Sequence, residues 1–315
     1  MSKTHDVMSV GTALVDSIIR GFDPTPVSAA GYRAASGTLN VGGEAVNTAL
    51  AAAKLGARAG ILCALGRDAA GDLVEETLRR GGVDVDAVVR PGDHSTPVTT
   101  MFVADDGSRR SITNGAHRRN FHPERYLGCL TGARAVLLGS LFRAPFDDPE
   151  IVLAVARAAH DSGALVFADT KLPNFRRLSL ADLSRALPLL DYVTPNEDEA
   201  RFYAPAASPE AMADRFLELG VKNVIVKLGP GGCLLKNAEA TVRLPACRVR
   251  AVDATGAGDN FLAGFVCELL RGSPPEQALR FANACGAVCV TAAGANTALR
   301  SRDQVLALLA EQESL

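Results

Sequence analysis

The sequence predicts an α/β protein built on one doubly wound, mostly parallel sheet between two layers of helices. Short apolar strands alternate with helical stretches along the chain, and no internal repeat, low-complexity segment or linker interrupts them. A content of 48% hydrophobic and 22% charged residues is ordinary for a well-packed α/β protein. We therefore expect a single domain over residues 1–315, with ligands at the carboxyl ends of the strands.

The first half of the chain contains strands, two helices and an excursion from the core. A strand is predicted over residues 7–13, ending near Asp16. A Gly- and Pro-containing stretch from about 18 to 41 follows as loop and short strands, and Gly42-Gly43 then opens an alanine-rich helix from Glu44 to Leu55. The next elements, in order, are a strand over 59–65, a helix over 71–80 stopped by two glycines, and a hairpin of 97–104 and 109–114.

The second half repeats the alternation of strand and helix. Asp148-Pro149 and Ser208-Pro209 each place an N-cap residue before proline, which predicts helices to about Ser162 and Leu219. The remaining elements are strands over 135–140, 164–169, 192–194, 223–227 and 233–236, and helices from Asp259 to about Leu270 and from about Pro274. Four polar or glycine positions each follow an apparent strand and are expected in one cleft: Asp16, Gly43, Asn196 and Asp259.

Composition excludes several classes of function. A net charge of −2 gives no basic footprint for nucleic acid, and no apolar run approaches the length of about 18 residues that a membrane span needs. The seven cysteines lack C-x-x-C spacing and are expected to be reduced core thiols, without a structural metal. A Walker phosphate loop is absent. We expect a cytoplasmic protein with no nucleic-acid or membrane partner.

The stretch from Val252 to Phe265 is the most informative in the chain. Gly256, Ala257 and Gly258 let successive backbone N–H groups converge at the start of a helix, whose dipole favours an anion such as phosphate. Asp259 follows them at once. It is either a helix-capping acid or a carboxylate that takes the proton of a hydroxyl attacking phosphorus. Capping alone does not explain the three small residues before it.

Together with three further motifs, this stretch resembles the PfkB (ribokinase-like) family of carbohydrate kinases. Asn40 to Gly56 resembles the first signature of the family, with a GG pair, an Asn and a small-residue helix. Asn196 to Glu199 matches its N-x-x-E motif, and Lys227 to Gly232 its glycine turn on the nucleotide side. The resemblance extends from about residue 6 to residue 298. It implies a ribokinase-like three-layer fold with a small β-sheet lid over approximately 17–41 and 97–115.

On the sugar side, the resemblance implies contacts from Asp16, Gly42, Gly43 and Asn47. Asp16 is expected to accept hydrogen bonds from a pair of hydroxyls, and Asn47 to present its amide to another. A turn aspartate and a core asparagine are the structural alternatives. Arg109, on the lid hairpin, either grips an acidic sugar or is a solvated strand-end charge.

On the nucleotide side, the resemblance implies ATP, Mg²⁺ and a monovalent cation such as K⁺. Asn196 and Glu199 are expected to hold Mg²⁺ through water, unless they only favour a helix N-terminus. Asp253 and Thr255 are expected to enclose K⁺ together with the loop 291–295. The predicted ATP contacts are Asn196, Lys227, Gly229, Gly232, Thr255 and Asn283.

The function predicted from these motifs is an ATP-dependent kinase that phosphorylates a primary hydroxyl of an unphosphorylated sugar, ribose-like or ketohexose-like. Alternatives with the same fold are a nucleoside kinase and a kinase of a sugar acid such as 2-keto-3-deoxygluconate. A catalytically silent sugar-binding regulator is the alternative from another class. Lys171, where many relatives place Asn, is either a charge near the phosphoryl group or a rim lysine. A homodimer through the lid is expected from the resemblance.

Overall fold

The computed structural model describes residues 4–21, 34–92, 94–104, 108–114, 120–174 and 176–313. The strands are β1 (His5–Val10), β2 (Leu14–Arg20), β3 (Ser36–Gly42), β4 (Ala59–Leu62), β5 (Val98–Val103), β6 (Arg109–Thr113), β7 (Ala133–Leu141), β8 (Leu165–Thr170), β9 (Tyr192–Val193), β10 (Asn223–Lys227), β11 (Cys233–Asn237) and β12 (Thr241–Leu244). The helices are α1 (Glu44–Lys54), α2 (Ala69–Arg80), α3 (Pro149–Asp161), α4 (Glu197–Tyr203), α5 (Pro209–Glu218), α6 (Ala257–Leu270), α7 (Pro275–Cys289) and α8 (Arg302–Glu313).

Eight strands form one large sheet in the order β12-β11-β10-β9-β8-β7-β1-β4. The pairs from β10 to β4 are parallel, whereas β11 and β12 join antiparallel at one edge. The predicted mostly parallel sheet is confirmed. Parallel strands that follow one another through helices point their carboxyl ends to the same edge, which gathers the polar strand ends in one place.

Both faces of this sheet are buried under helices, as in a three-layer fold. Along β7, Ala135 and Leu137 pack in one core with α1, α6 and α7, while Val136 and Leu138 pack in a second core with α3 and α5. The alternation follows from the period of two along a strand. Among the described helices, none combines the length and the hydrophobicity needed to cross a bilayer.

A second sheet of four strands stands apart from the large one, in the order β3-β2-β5-β6. It contains the described parts of the predicted lid segments, and a small separate sheet is therefore confirmed. Residues 22–33, 105–107 and 115 of those segments lie outside the described residues. The role of this sheet as a lid stays a prediction.

Two predicted strand positions were wrong. The strand expected over 7–13 ends at Val10, and Asp16 lies inside β2 of the small sheet. The chain leaves the large sheet at Gly11, where φ is 152° and an added Cβ would lie 3.1 Å from the carbonyl oxygen of Gly139. Asp259 does not directly follow a strand either, because β12 ends at Leu244 and α6 starts at Ala257.

Candidate active site

A glycine in the left-handed region sets the start of α6. Gly256 has φ of 77° and directly precedes the helix. A Cβ on Gly256 would lie 2.2 Å from Cβ of Ala295, so glycine is required both for the dihedral and for the contact. Asn260 strengthens this junction, because its Nδ2 donates to the carbonyl oxygens of Gly256 at 2.8 Å and Ala295 at 3.0 Å. The loop after α7 thus packs against the N-terminus of α6 and is hydrogen-bonded to it through Asn260.

The backbone around this N-terminus is only partly covered. Residues 256–258 are half-buried, and the N–H of Ala257 donates to the carbonyl oxygen of Ala254 at 3.2 Å. The ammonium of Lys227 lies close to Gly258, since a Cβ on that glycine would be 3.1 Å from its Nζ. A helix N-terminus and a lysine therefore adjoin one surface, a combination that suits an anion.

Asp259 lies in the first turn of α6 with 5% of its surface exposed. Its Oδ2 accepts a 2.7 Å hydrogen bond from Nδ2 of Asn47. Burial raises the pKa of Asp259 to about 6; the nearby charge of Lys171 lowers this pKa, and the carboxylates of Asp169 and Glu44 raise it. A carboxylate with a pKa close to neutrality suits proton transfer in both directions.

Asn47 is oriented from its other side by Asn296. The Nδ2 of Asn296 donates to Oδ1 of Asn47 at 2.8 Å and to the carbonyl oxygen of Val41 at 3.3 Å. The carbonyl oxygen of Asn296 accepts from Nζ of Lys54 at 2.5 Å. Because an amide group has two N–H donors, Asn47 still has one for a ligand after bonding Asp259.

A buried charged cluster occupies the carboxyl ends of β8 and β10. Oδ1 of Asp169 accepts from the ammonium of Lys227 and from Oγ1 of Thr194, the latter at 2.9 Å. Nζ of Lys171 lies 3.5 Å from Oδ2 of the same carboxylate. Although burial raises the pKa of Asp169, the two lysines lower it below the ordinary value, so the carboxylate stays ionised.

Asn196 and Glu199 form a capping box at the start of α4. Oδ1 of Asn196 accepts from the N–H of Glu199 at 2.8 Å, and Oε2 of Glu199 accepts from the N–H of Asn196 at 3.0 Å. Oε2 also accepts from Oγ1 of Thr170 at 2.8 Å. The carboxylate is 3% exposed, and burial and the charge of Asp169 raise its pKa. Capping therefore accounts for the positions of both residues, while the buried negative charge favours a cation nearby.

Three residues predicted to bind sugar lie together where β2, β3 and α1 meet. Asp16 pairs with Asn40 across β2 and β3, and a Cβ on Gly42 would lie 2.8 Å from Oδ2 of Asp16. Gly43 is the N-cap of α1 with φ of 102°, and its Cβ would lie 2.3 Å from the carbonyl oxygen of Thr12. Gly42 thus lets the carboxylate lie against the end of β3, and Gly43 lets the start of the helix approach the backbone of Thr12. The backbone of Arg109 begins β6, but its side chain lies outside the described part of the structure.

The predicted ATP contacts of the glycine turn adjoin an open cavity of about 350 Å³. Gly229 and Gly232 have positive φ, and a Cβ on Gly232 would overlap the carbonyl oxygen of Leu244 at 1.9 Å. Asn283 lines the cavity and donates to the carbonyl oxygen of Pro245 at 3.1 Å. The other residues that line it are Leu244, Ala246, Cys247, Arg248, Arg280, Leu309 and Gln312.

Asp253 closes the loop before α6 onto the loop after α7. Its Oδ1 accepts from the N–H of Thr255 at 3.0 Å and from Oγ1 of Thr255 at 2.7 Å, and its Oδ2 accepts from the N–H of Gly294 at 3.1 Å. The two segments predicted to enclose a monovalent cation are therefore adjacent. Within the described residues no cluster of three or more His, Cys, Asp or Glu side chains forms a metal site, and the seven cysteines are free thiols.

The sequence analysis did not predict a role in this site for three residues, Asn296, Asn260 and Asp169. Asn296 and Asn260 are ordinary polar residues whose contacts, to Asn47 and to the loop 291–297, form only in the folded chain. Asp169 ends a predicted strand, and an acid at a strand end in this fold is a usable signal. Its pairing with two lysines was not predicted.

Comparisons with known proteins point to one family. A model of the pfkB family of carbohydrate kinases matches residues 4–302. An ATP-dependent ribose-1-phosphate kinase of Halopiger xanaduensis is 30% identical over 86% of this chain and 87% of its own length. A nucleoside kinase of Methanothermobacter thermautotrophicus is 29% identical over 94% and 93%. The structure of Arabidopsis thaliana ribokinase complexed with ribose and ATP matches with a TM-score of 0.84 and 29% identity, over 98% of this chain and 99% of that one.

Proposed function

The chain belongs to the pfkB family of carbohydrate kinases, and we propose that it transfers the γ-phosphoryl group of ATP to a primary hydroxyl of an unphosphorylated sugar. The observation that carries this proposal is the position of Asp259. This buried carboxylate lies in the first turn of α6, next to a helix N-terminus, and Asn47 holds one of its oxygens. The substrate class proposed is ribose-like or ketohexose-like.

In the proposed reaction Asp259 acts as the general base. The hydroxyl oxygen of the sugar attacks the γ-phosphorus in line, the bond from that phosphorus to the β-phosphate oxygen breaks, and ADP leaves. The hydroxyl proton passes to the Asp259 carboxylate, and Asn47 stabilises the charged form beforehand through its 2.7 Å hydrogen bond. Orientation by two fixed side chains supplies the proximity that such a transfer needs.

The negative charge of the transferring group is proposed to lie against Gly256, Ala257 and Gly258. The N–H of Ala257 already makes a 3.2 Å bond to the carbonyl oxygen of Ala254. To bind a phosphate oxygen, this N–H would have to donate to both oxygens at once or give up its bond to Ala254. Lys227, next to Gly258, adds a full positive charge to the partial charge of the helix.

Mg²⁺ is proposed to bind near Asn196 and Glu199 through water. A buried carboxylate whose pKa is raised by burial and by a neighbouring acid fits a divalent cation, while the capping bonds limit how many oxygens can contact it directly. Mg²⁺ keeps several waters in such sites and neutralises charge on the phosphates when it is bound. In this proposal Glu199 supplies negative charge at this position and Asn196 supplies a neutral amide oxygen.

The sugar is proposed to bind between Asp16, Gly42, Gly43 and Asn47, covered by the small sheet. Asp16 accepts hydrogen bonds from two hydroxyls, and the second N–H of Asn47 serves a third. Strand β3, which leads into the two glycines, contains no basic residue. This supports an unphosphorylated sugar over a sugar phosphate, because a phosphate needs a cation. Arg109 stays a predicted contact.

The nucleotide is proposed to lie over Gly229 and Gly232 and to reach the cavity that Asn283 lines. A cavity of about 350 Å³ is large enough for an adenine base, and the chain continues from Arg248, which lines it, through Thr255 to the start of α6. K⁺ is proposed to bind between the loop of Asp253 and Thr255 and the loop of Gly294, because hydrogen bonds already hold these loops together.

A homodimer is proposed to form through the small sheet. Leu39 on β3 is 64% exposed and Ile112 on β6 is 70% exposed. The register places both in one row across the sheet, with Ser17 and Thr100 between them. Large apolar side chains in such a row favour a second copy of the same surface as the partner.

The proposed function is tested by ADP release and thermal shift with ribose, fructose, 2-keto-3-deoxygluconate and adenosine. We expect ADP release with ribose or fructose that Asp259→Asn abolishes, and a stabilisation of the protein by the same sugar. Preference for the sugar acid or the nucleoside would replace the proposed substrate class. Binding of any of these ligands without ADP release would support a silent regulator.

A further inference from the structure

The backbone of Lys171 is fixed on both sides at the carboxyl end of β8. Its N–H donates to the carbonyl oxygen of Leu141 at 3.0 Å, and its carbonyl oxygen accepts from the hydroxyl of Tyr203 at 2.7 Å. The ring of Tyr203 stacks on Phe142 with centroids 3.8 Å apart, which holds the hydroxyl in place. The side chain therefore starts from a rigid position at the edge of the sheet where the predicted ligands bind.

The ammonium of Lys171 is held less firmly than its backbone. Oδ1 of Asp169 is bonded by Lys227 and Thr194. Its Oδ2 is buried and has no hydrogen-bond partner among the described residues, and Nζ of Lys171 lies 3.5 Å away. At that distance the contact is an ion pair without a hydrogen bond. The lysine can leave it without breaking a hydrogen bond.

The charges around Lys171 belong to the phosphoryl-transfer side of the site. Although burial lowers the pKa of Lys171, the carboxylates of Asp169, Asp259, Glu44 and Glu199 raise it above the ordinary value, so the ammonium stays charged. Asp169 also holds Lys227, whose ammonium adjoins Gly258 at the start of α6. Lys171 and Lys227 are thus paired with the same carboxylate, and Lys227 adjoins the start of the helix that carries the proposed base.

We propose that Lys171 is a further catalytic residue, whose ammonium moves from Oδ2 of Asp169 to the non-bridging oxygens of the phosphoryl group during transfer. The proposal rests on the proposed kinase function. No proton leaves the lysine; it exchanges one anionic partner for another and stabilises charge that spreads over the phosphoryl oxygens in the transition state. Asp169 is then a positioning residue that holds both lysines ready before the substrates bind.

The competing explanation is structural, namely that Lys171 only neutralises the buried charge of Asp169. In that case its removal would lower stability and leave the transition state unaffected. It would also have no effect on the binding of a phosphoryl-transfer analogue. A catalytic role predicts the opposite pattern.

The test compares Lys171→Met with Lys236→Met. Lys236 lies on β11, has a side chain of similar exposure (20% against 24%), and makes an ion pair with Asp214 at 2.6 Å outside the site. For Lys171→Met we expect kcat to fall roughly 10²-fold, as for loss of one charge-stabilising donor, with KM values for sugar and ATP changed less than about threefold. Lys236→Met should keep kcat.

Two further measurements keep the proposal independent of folding. In Lys171→Ala, added ethylammonium should restore part of kcat in a saturable manner, and MgADP with aluminium fluoride should bind at least about tenfold more weakly than to the wild type while MgADP alone binds equally. A variant that binds the analogue normally, or loses activity only in proportion to a fall in Tm without amine rescue, overturns the catalytic role. If the wild-type protein itself releases no ADP with any sugar, the proposed function fails instead.

Discussion

Nδ2 of Asn47 and Oδ2 of Asp259 lie 2.7 Å apart, although 212 residues separate them in the sequence. The bond joins the first turns of α1 and α6, and so connects the glycine pair proposed to bind the sugar with the helix N-terminus proposed to bind the phosphate. With Oδ2 held by the amide, Oδ1 is the oxygen that would receive the proton of the sugar in the proposed reaction. The orientation of the base is therefore set by a neighbour that is itself fixed.

Asn296 holds the amide of Asn47 in place, and its substitution tests whether this bond orients Asp259. Asn296→Ala removes the 2.8 Å bond to Asn47, which lets the amide rotate and donate less well to Asp259. We expect kcat to fall by about tenfold, the scale of one hydrogen bond, with KM for ATP unchanged. Steady-state kinetics with both substrates measure it.

Thr297→Ala is the matched control, because Thr297 is the next residue and is exposed. It should leave kcat within about twofold of the wild type, as for most surface substitutions. Equal losses in both variants would indicate that the loop as a whole, and not the amide of Asn296, supports the base.

Asp259→Asn is expected to lower kcat and to raise the free energy of unfolding. The kcat should fall roughly 10²–10⁴-fold or more, because the variant lacks the proposed general base. The folded pKa of about 6 is above the ordinary value, so the native state binds more protons between about pH 4 and 6, and stability falls as the pH rises through that window. At pH 7.5 the neutral amide should therefore raise the free energy of unfolding by about 1–3 kcal/mol.

Glu268→Gln is the contrasting variant on the same helix. Glu268 is also buried, but it accepts from Arg302 at 2.7 and 3.1 Å, which stabilises its charge. We expect a loss of about 1–3 kcal/mol in stability with kcat kept. Chemical denaturation and ADP-release assays on both variants check the pair. An Asp259→Asn protein with kcat within about threefold of the wild type would refute the role of the base.

The pH dependence follows from the same carboxylate. Asp259 accepts a proton only when ionised, so kcat/KM should fall below a pKa of about 6, with the decrease on the acid side. Lys171 lowers this pKa, and Lys171→Met should move the acid limb to higher pH. Profiles of kcat/KM from pH 5 to 8, a range of about three units around that value, measure both effects. An unchanged limb in the variant would show that the lysine does not face the base.

The sequence predicted the large sheet and the start of α6 because both depend on local patterns. Buried parallel strands are continuous apolar runs, and the small residues Gly256 to Gly258 require a turn whatever surrounds them. Edge strand β12 has four residues and helix α8 lies beyond the motifs, and neither was predicted. The chain also leaves the large sheet at Gly11 in the middle of an apolar run. The sequence therefore predicted one continuous strand and placed Asp16 after it, whereas Asp16 lies in β2.

Contacts between distant residues could not be predicted in the same way. The bonds from Asn296 to Asn47 and from Lys227 to Asp169 cross 249 and 58 residues. An isolated Asn or Asp has the same local pattern whether it faces solvent or completes a buried network. Only the packing of α1 against the loop after α7, and of the strand ends of β8 and β10, brings these groups together.

Gly256→Ala tests whether the turn before α6 shapes the anion site. The added Cβ would lie 2.2 Å from Ala295, in a residue whose φ is 77°. Gly82→Ala is the matched control, with φ of 78° and open space around its Cβ. The control should lose only the left-handed penalty of about 1–2 kcal/mol. Gly256→Ala should lose more stability and at least about tenfold in kcat, because the N–H groups move. Similar stability and kcat in both variants would contradict this.

Charge on the exposed row of the small sheet tests the proposed dimer. In Leu39→Glu combined with Ile112→Glu, like charges would face each other across a two-fold interface and remove its apolar contacts. We expect the mass measured by light scattering after size exclusion to fall from a dimer to a monomer, with the Tm of the protein little changed. Leu306→Glu, on α8 and 38% exposed, is the control for an added surface charge and should leave the dimer intact. A wild-type protein that is monomeric at micromolar concentration would rule out this interface, because an apolar surface that forms a stable dimer should be occupied there.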